Sequence, residues 1–121
     1  MSAFENETPV VLRLCATCET ADFERDREIV VRSLREAELH SRVRVVRADC
    51  LGGCENPASL SLQSQGRASY VFSGIDCASD GGDIAATCQQ YLEADTGWIV
   101  DARKCGRLRD CLRARIPALD A

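Results

Sequence analysis

The hydrophobic pattern opens on Pro9-Val10-Val11-Leu12-Arg13-Leu14, apolar at nearly every position. Such a run predicts a short strand buried on both faces. It ends at once in Cys15-Ala16-Thr17-Cys18. From residue 23 to about residue 39, Phe23, Val30, Leu34 and Ala37 recur at helical spacing among Arg and Glu, which predicts an amphipathic helix. Thr20 or Asp22 can cap it, and Glu24 lies where the helix dipole favours an anion. Asp26, Arg27, Arg32 and Arg35 are expected on its solvated face. Arg42-Val43-Arg44-Val45-Val46-Arg47 alternates early on and predicts a second strand.

After Cys50-Leu51-Gly52-Gly53-Cys54, the turn signal Glu55-Asn56-Pro57 leads into residues 58–73, where Ala58-Ser59-Leu60-Ser61-Leu62-Gln63 and Ala68-Ser69-Tyr70-Val71-Phe72 flank Ser64-Gln65-Gly66. These residues predict a β-hairpin. Residues 74–82 read as a loop containing Cys77. A second helix is expected from residue 83 to about 92, with Ile84, Cys88, Tyr91 and Leu92 on one face, Asp80 as N-cap and Gly97 as its stop. Trp98-Ile99-Val100 reads as extended, and Leu108, Cys111 and Leu112 suggest one or two helical turns before Pro117.

A strand, a helix and a second strand form a βαβ unit with parallel strands. Strand 1 then ends at Cys15 and strand 2 near Ala48, so both cysteine pairs are expected at the carboxyl edge of one sheet. That edge is where open α/β sheets place their sites. The order β-α-β-β-β-α is the outline of a thioredoxin-like α/β fold. Residues 1–121 are expected to form a single domain, with residues 1–8 flexible and residues 98–121 a C-terminal extension.

Composition changes this picture mainly through the cysteines. The 121 residues are 45% hydrophobic and 28% charged, with a net charge of −4, enough apolar material for a core without staples. A mildly acidic chain lacks the electrostatic basis for non-specific nucleic-acid binding, although Arg103, Lys104, Arg107, Arg109, Arg113 and Arg115 crowd the C-terminal segment. Residues 1–8 show no basic stretch followed by an apolar one, and no apolar run is long enough to span a membrane. A cytoplasmic location is therefore expected, where the eight cysteines stay reduced and clustered thiols serve as metal ligands or redox dithiols.

Cys88 and Cys111 lie on apolar helical faces and are expected in the core. Cys77 and Cys105 read as free thiols. His40, the single histidine, reads as a surface or capping residue, which excludes a His-rich site and a two-histidine Rieske centre within one chain. Asp49 reads as a solvated turn residue. No nucleophile-elbow or P-loop pattern occurs, so hydrolytic chemistry is not expected.

A buried strand ending in Cys15-Ala16-Thr17-Cys18, a mid-chain Cys50-Leu51-Gly52-Gly53-Cys54 and a late Ala114-Arg115-Ile116-Pro117 resemble a family of small bacterial predicted metal-binding proteins of formerly unknown function. That family is similar to the thioredoxin-like [2Fe-2S] ferredoxins, and the resemblance runs from about residue 10 to 117. Cys50 and Cys54 match the C-x3-C spacing of those ferredoxins. Cys15 and Cys18 stand closer together than the ferredoxins' first two ligands, so Cys77 or Cys105 stays open as a replacement for Cys18.

The resemblance implies a [2Fe-2S] cluster bound by Cys15, Cys18, Cys50 and Cys54, in an electron carrier rather than an enzyme, with an unidentified redox partner protein and a possible homodimer. Ferric ions, sulfides and thiolates in such a cluster sum to roughly −2, and one added electron makes roughly −3. Gly52 and Gly53, lacking Cβ, can turn backbone N–H donors toward cluster sulfurs and support that charge. The same four thiolates would fit Zn2+ in a structural or interaction module, with the C-terminal arginines available to an acidic partner. The second reading, ahead of zinc, is a thiol–disulfide oxidoreductase using Cys15 and Cys18 at a helix N-terminus, with Pro57 facing the pair. It leaves Cys50 and Cys54 without a role.

Overall fold

The computed structural model describes residues 9–15, 23–48 and 59–119. In chain order these form β1 (Val10–Cys15), α1 (Phe23–Glu36), β2 (Val43–Ala48), β3 (Leu60–Gln63), β4 (Ser69–Phe72), α2 (Cys77–Glu93) and β5 (Leu112–Ile116), with 3-10 segments at Asp95–Gly97 and Arg103–Asp110. The sheet order is β2-β1-β3-β4-β5. β1 and β2 are parallel, from Val10 opposite Val43 to Cys15 opposite Ala48, and the remaining pairs are antiparallel. This is the thioredoxin-like α/β arrangement that the hydrophobic pattern predicts. No described helix is long and apolar enough to cross a membrane.

The period-two alternation of the strands decides where the core lies. Val10, Leu12 and Leu14 share a face with Leu60 and Leu62 and with Tyr70 and Phe72, and all are buried. Val30 and Leu34 of α1 and Ile84, Cys88 and Tyr91 of α2 complete one continuous core with them. β1 is thus buried on one face rather than two: Val11 and Arg13, on the other, are half-buried. An apolar run this short does not distinguish the cases, because one β-branched residue on the outer face completes it.

α1 ends earlier than its periodicity suggests. Glu38 takes φ 61, and the Leu39 and Glu38 N–H groups donate to the Leu34 and Arg35 carbonyls at 2.8 and 3.0 Å. This is a Schellman closure, with Leu39 folding back toward Leu34. Asp26, expected in solvent, is buried beside Arg25 at 3.2 Å, because the first turn of α1 lies near the start of α2.

α2 begins at Cys77, well before the expected residue 83, and its N-cap is Asp76 rather than Asp80. Asp76 accepts from Ala78 N–H at 3.2 Å, while Asp80 reaches back to accept from Asp76 N–H at 2.8 Å. This reciprocal cap holds the first turn within residues 74–82, which read as a loop in the sequence. Gly81 lies close against α1: a Cβ there would meet Ser33 Oγ at 2.5 Å and turn that hydroxyl aside.

The C-terminal segment departs most from expectation. Leu112–Ile116 is a fifth strand, not helical turns, and it pairs with β4 through an irregularity between Val71 and Phe72. Residues 98–121 are therefore not a mere extension, since β5 belongs to the sheet. The 3-10 segment before it reaches Cys111, whose N–H donates to Leu108 C=O at 3.0 Å. Trp98-Ile99-Val100 pairs with no described strand. The Tyr70 hydroxyl secures it instead, donating to Gly97 C=O at 2.9 Å and accepting from Ile99 N–H at 2.8 Å. Arg115 then stacks over the Trp98 ring at 3.8 Å.

Candidate functional site

The carboxyl edge of the sheet collects the chemistry. Cys15 closes β1, 3% exposed, with Ala48 beside it at the end of β2. On its other flank the Cys15 N–H donates to Ser59 C=O at 3.0 Å, which carries the β1–β3 ladder one residue beyond the Leu14–Leu60 pair. The segment 49–58 therefore departs from one flank of Cys15 and returns to the other. Segment 16–22 also starts at Cys15 and ends at Phe23, whose ring carries the Arg47 guanidinium at 5.6 Å, next to the end of β2.

Of the predicted site residues, Cys15 is the one within the described set. Cys18, Cys50, Gly52, Gly53 and Cys54 lie outside it, as do Asp49, Pro57 and the helix caps Thr20 and Asp22. Cys18 is three residues from Cys15, Cys50 two from Ala48 and Cys54 five from Ser59. Among the described residues no three His, Cys, Asp or Glu side chains gather into a metal-sized group.

The other cysteines divide by position. β4 runs in the direction of β1, with Phe72 in register with Leu60 and Leu14, so α2 starts at the same edge and brings Cys77 there. Burial pushes the Cys77 thiol up to about 12, and Asp26, Asp76 and Asp80 add to the shift while Arg25 opposes it. An acidic pocket of this kind disfavours the thiolate that a metal requires. Cys111 also lies toward this edge, its Sγ 3.9 Å from Gly74 C=O, and its thiol is raised by burial against the pull of Arg107.

Cys105 is elsewhere. Its carbonyl accepts from the Thr87 hydroxyl at 3.4 Å. Thr87 lies ten residues along α2 from Cys77, or roughly 15 Å of helix. Its thiol is raised by burial, with Thr87 pulling the other way. Cys88 is a core residue as expected, fully buried, its thiol pushed up to about 12 by burial with Cys105 adding to it. Cys111 is buried too.

Two features at this edge are not visible in the residue pattern. The first is Ser59, whose side chain is fully buried and whose Oγ has no hydrogen-bond partner among the described residues. An unsatisfied buried hydroxyl costs roughly 1–3 kcal/mol. The sequence shows Ser59 only as one member of an alternating strand, and its place opposite Cys15 depends on strand register.

The second is a polar knot at the start of α2. Arg107 donates Nε to Asp80 Oδ1 at 2.9 Å and Nη2 to Asp80 Oδ2 at 2.7 Å, and also reaches Gly74 C=O. This pairing holds the Asp80 carboxyl below its usual range; burial opposes the shift and the Asp76 N–H reinforces it. Arg107 N–H donates to Asp83 Oδ2 at 3.1 Å. Gly106, at φ 62, permits this approach, since a Cβ there would lie 2.3 Å from Asp83 Oδ1. Arg103 pairs with Asp101 at 2.6 Å, so Arg103, Arg107 and Arg115 are engaged within the chain, which weakens the expectation that the C-terminal arginines serve an acidic partner.

The chain belongs to a family described as protein of unknown function (DUF1636), whose profile matches residues 12–118. The match spans β1 to β5 and includes both cysteine pairs. No curated protein matches the chain.

Proposed function

We propose that this protein is a one-electron carrier, a ferredoxin, with a [2Fe-2S] cluster held by Cys15, Cys18, Cys50 and Cys54. The observation that carries the reading is the position of Cys15. It is buried at the carboxyl end of β1, between the two strand ends that bracket the Cys50–Cys54 segment. The unpartnered Ser59 hydroxyl beside it is what a sulfur-rich anionic group would satisfy, so the residues present fit such a group.

When bound, a [2Fe-2S] cluster takes up and returns one electron. The chain's own residues hold it at a sheet edge, within reach of an unidentified redox partner protein. Gly52 and Gly53 would supply backbone donors to its sulfurs. The protein acts in the cytoplasm, without intrinsic enzyme activity, and a homodimer is compatible with the fold.

The second reading, a thiol–disulfide oxidoreductase, is favoured by the CxxC that follows β1 of a thioredoxin-like sheet. The burial of Cys15 counts against it, since an attacking thiolate needs access to its disulfide. A structural Zn2+ on the same thiolates is the third, and the continuous core lessens the need for it. Cys50→Ser separates the first two. It should abolish visible colour and iron content if the cluster reading holds. Intact colour, or dithiol turnover that needs only Cys15 and Cys18, would contradict it.

A further inference from the structure

We propose that Ser59 is a positioning residue whose hydroxyl donates a hydrogen bond to sulfur at the Cys15 end of the site and thereby raises the reduction potential. The proposal rests on the cluster reading above. Leu14 pairs with Leu60, and the Cys15 N–H donates to Ser59 C=O at 3.0 Å. Residues opposed in an antiparallel pair point to the same face, so Cys15 and Ser59 side chains stand together, on the face opposite the leucines. Both are buried, at 3% and 0% exposure.

Among the described residues Ser59 Oγ has no hydrogen-bond partner. Its neighbours in the ladder show that the strand does not require a serine there for its own pairing. The backbone C=O of Ser59 is already used by Cys15, and the face carrying the hydroxyl is not the leucine face of the core. A buried hydroxyl left unsatisfied by the protein and set against a metal-ligand cysteine has sulfur as its natural acceptor. Thiolate or sulfide sulfur accepts such a bond, and more strongly as its charge grows.

The consequence concerns the two oxidation states. One-electron reduction takes the centre from roughly −2 to roughly −3, the electron coming from dithionite in the test and from the partner in function. The hydroxyl keeps its proton in both states. Its hydrogen bond is stronger to the more negative state, so it favours reduction. Backbone donors of the kind expected from Gly52 and Gly53 would act in the same direction, but Ser59 is the side chain whose removal leaves the backbone unchanged.

The test compares wild type, Ser59→Ala and Ser59→Thr by dithionite titration of the loaded protein, with iron and sulfide assayed on each. Ser59→Ala should retain its cluster and disfavour reduction by about tenfold, a potential about 59 mV more negative for a one-electron couple. Ser59→Thr keeps the oxygen and should stay within about twofold of wild type. A cluster-bearing Ser59→Ala with unchanged potential overturns the proposal alone. So does Ser59→Thr displaced as far as Ser59→Ala is expected to be, a comparison that stands even if Ser59→Ala fails to fold. A wild-type protein that takes up no cluster overturns the proposal together with the reading beneath it.

Discussion

Replacing Arg107 with alanine removes the guanidinium that serves the buried Asp80 carboxylate. Asp80's side chain is 3% exposed and accepts three hydrogen bonds, at 2.9 and 2.7 Å from Arg107 and 2.8 Å from Asp76 N–H. Arg107→Ala leaves a buried carboxylate with one donor. Breaking a buried pair in this way costs about 3–5 kcal/mol. Arg107 itself is half exposed, so water can reach the vacated position, and we discount the cost to about 2–3 kcal/mol. For a chain of this length that corresponds to a melting-temperature loss of roughly 8–15 °C.

The effect has a pH signature. The folded Asp80 pKa is depressed below its unfolded value, so its contribution is complete above the unfolded pKa of about 3.9 and is lost as pH falls through the folded value. The gap between wild type and Arg107→Ala, read from urea unfolding by far-UV circular dichroism, should be steady near neutral pH and narrow below about pH 4. Asp80→Asn in the Arg107→Ala background should recover part of the loss by removing the stranded charge. An Arg107→Ala protein within about 0.5 kcal/mol of wild type at neutral pH would refute the reasoning, because that is the value of an exposed pair. So would a gap that stays constant into acid.

Two further predictions concern stability. Glu38→Gly relieves a non-glycine residue at φ 61 in the Schellman closure and should stabilise the fold by about 1 kcal/mol, seen as a higher urea midpoint with unchanged slope. The Cys88 thiol is raised from 9.0 to about 12, so its contribution is full below the unfolded pKa and is lost as pH rises from about 9 toward 12. Stability should fall over that range, and Cys88→Ala should show a shallower fall when urea midpoints are compared between pH 8 and pH 11. An equal slope in the two proteins would contradict this.

The parallel βαβ unit and the hairpin are readable in the sequence because each carries its own period: Val10, Leu12 and Leu14 against Val43 and Val45, then Leu60 and Leu62 against Tyr70 and Phe72. From that unit alone follows the arrival of Cys15 at the carboxyl edge. β5 is not readable in the same way. Leu112-Arg113-Ala114-Arg115-Ile116 does alternate apolar and basic residues, but Leu112 also continues the helical spacing of Leu108 and Cys111, and the strand is exposed throughout, so no buried face marks it. Its order comes from the edge of β4 and from the Arg115–Trp98 stack.

The early start of α2 is hidden by Gly81-Gly82, a pair that sits inside the helix rather than in a turn, with Gly81 close against Ser33 of α1. The polar members of the site are the hardest to see. Ser59 matters through its register against Cys15, and Asp80 through Arg107, twenty-seven residues away. Neither relation has a local pattern. A long-range ion pair or an orphaned hydroxyl exists only once the chain has folded.

The most direct test of the cluster reading is the visible absorption spectrum of the anaerobically purified protein, with iron and acid-labile sulfide assayed on the same sample. The account predicts a brown protein, bleached by dithionite, with about two irons and two sulfides per chain. A colourless protein that remains without iron after reconstitution would contradict it, and its zinc content and free-thiol count would then decide between a structural metal and a redox dithiol.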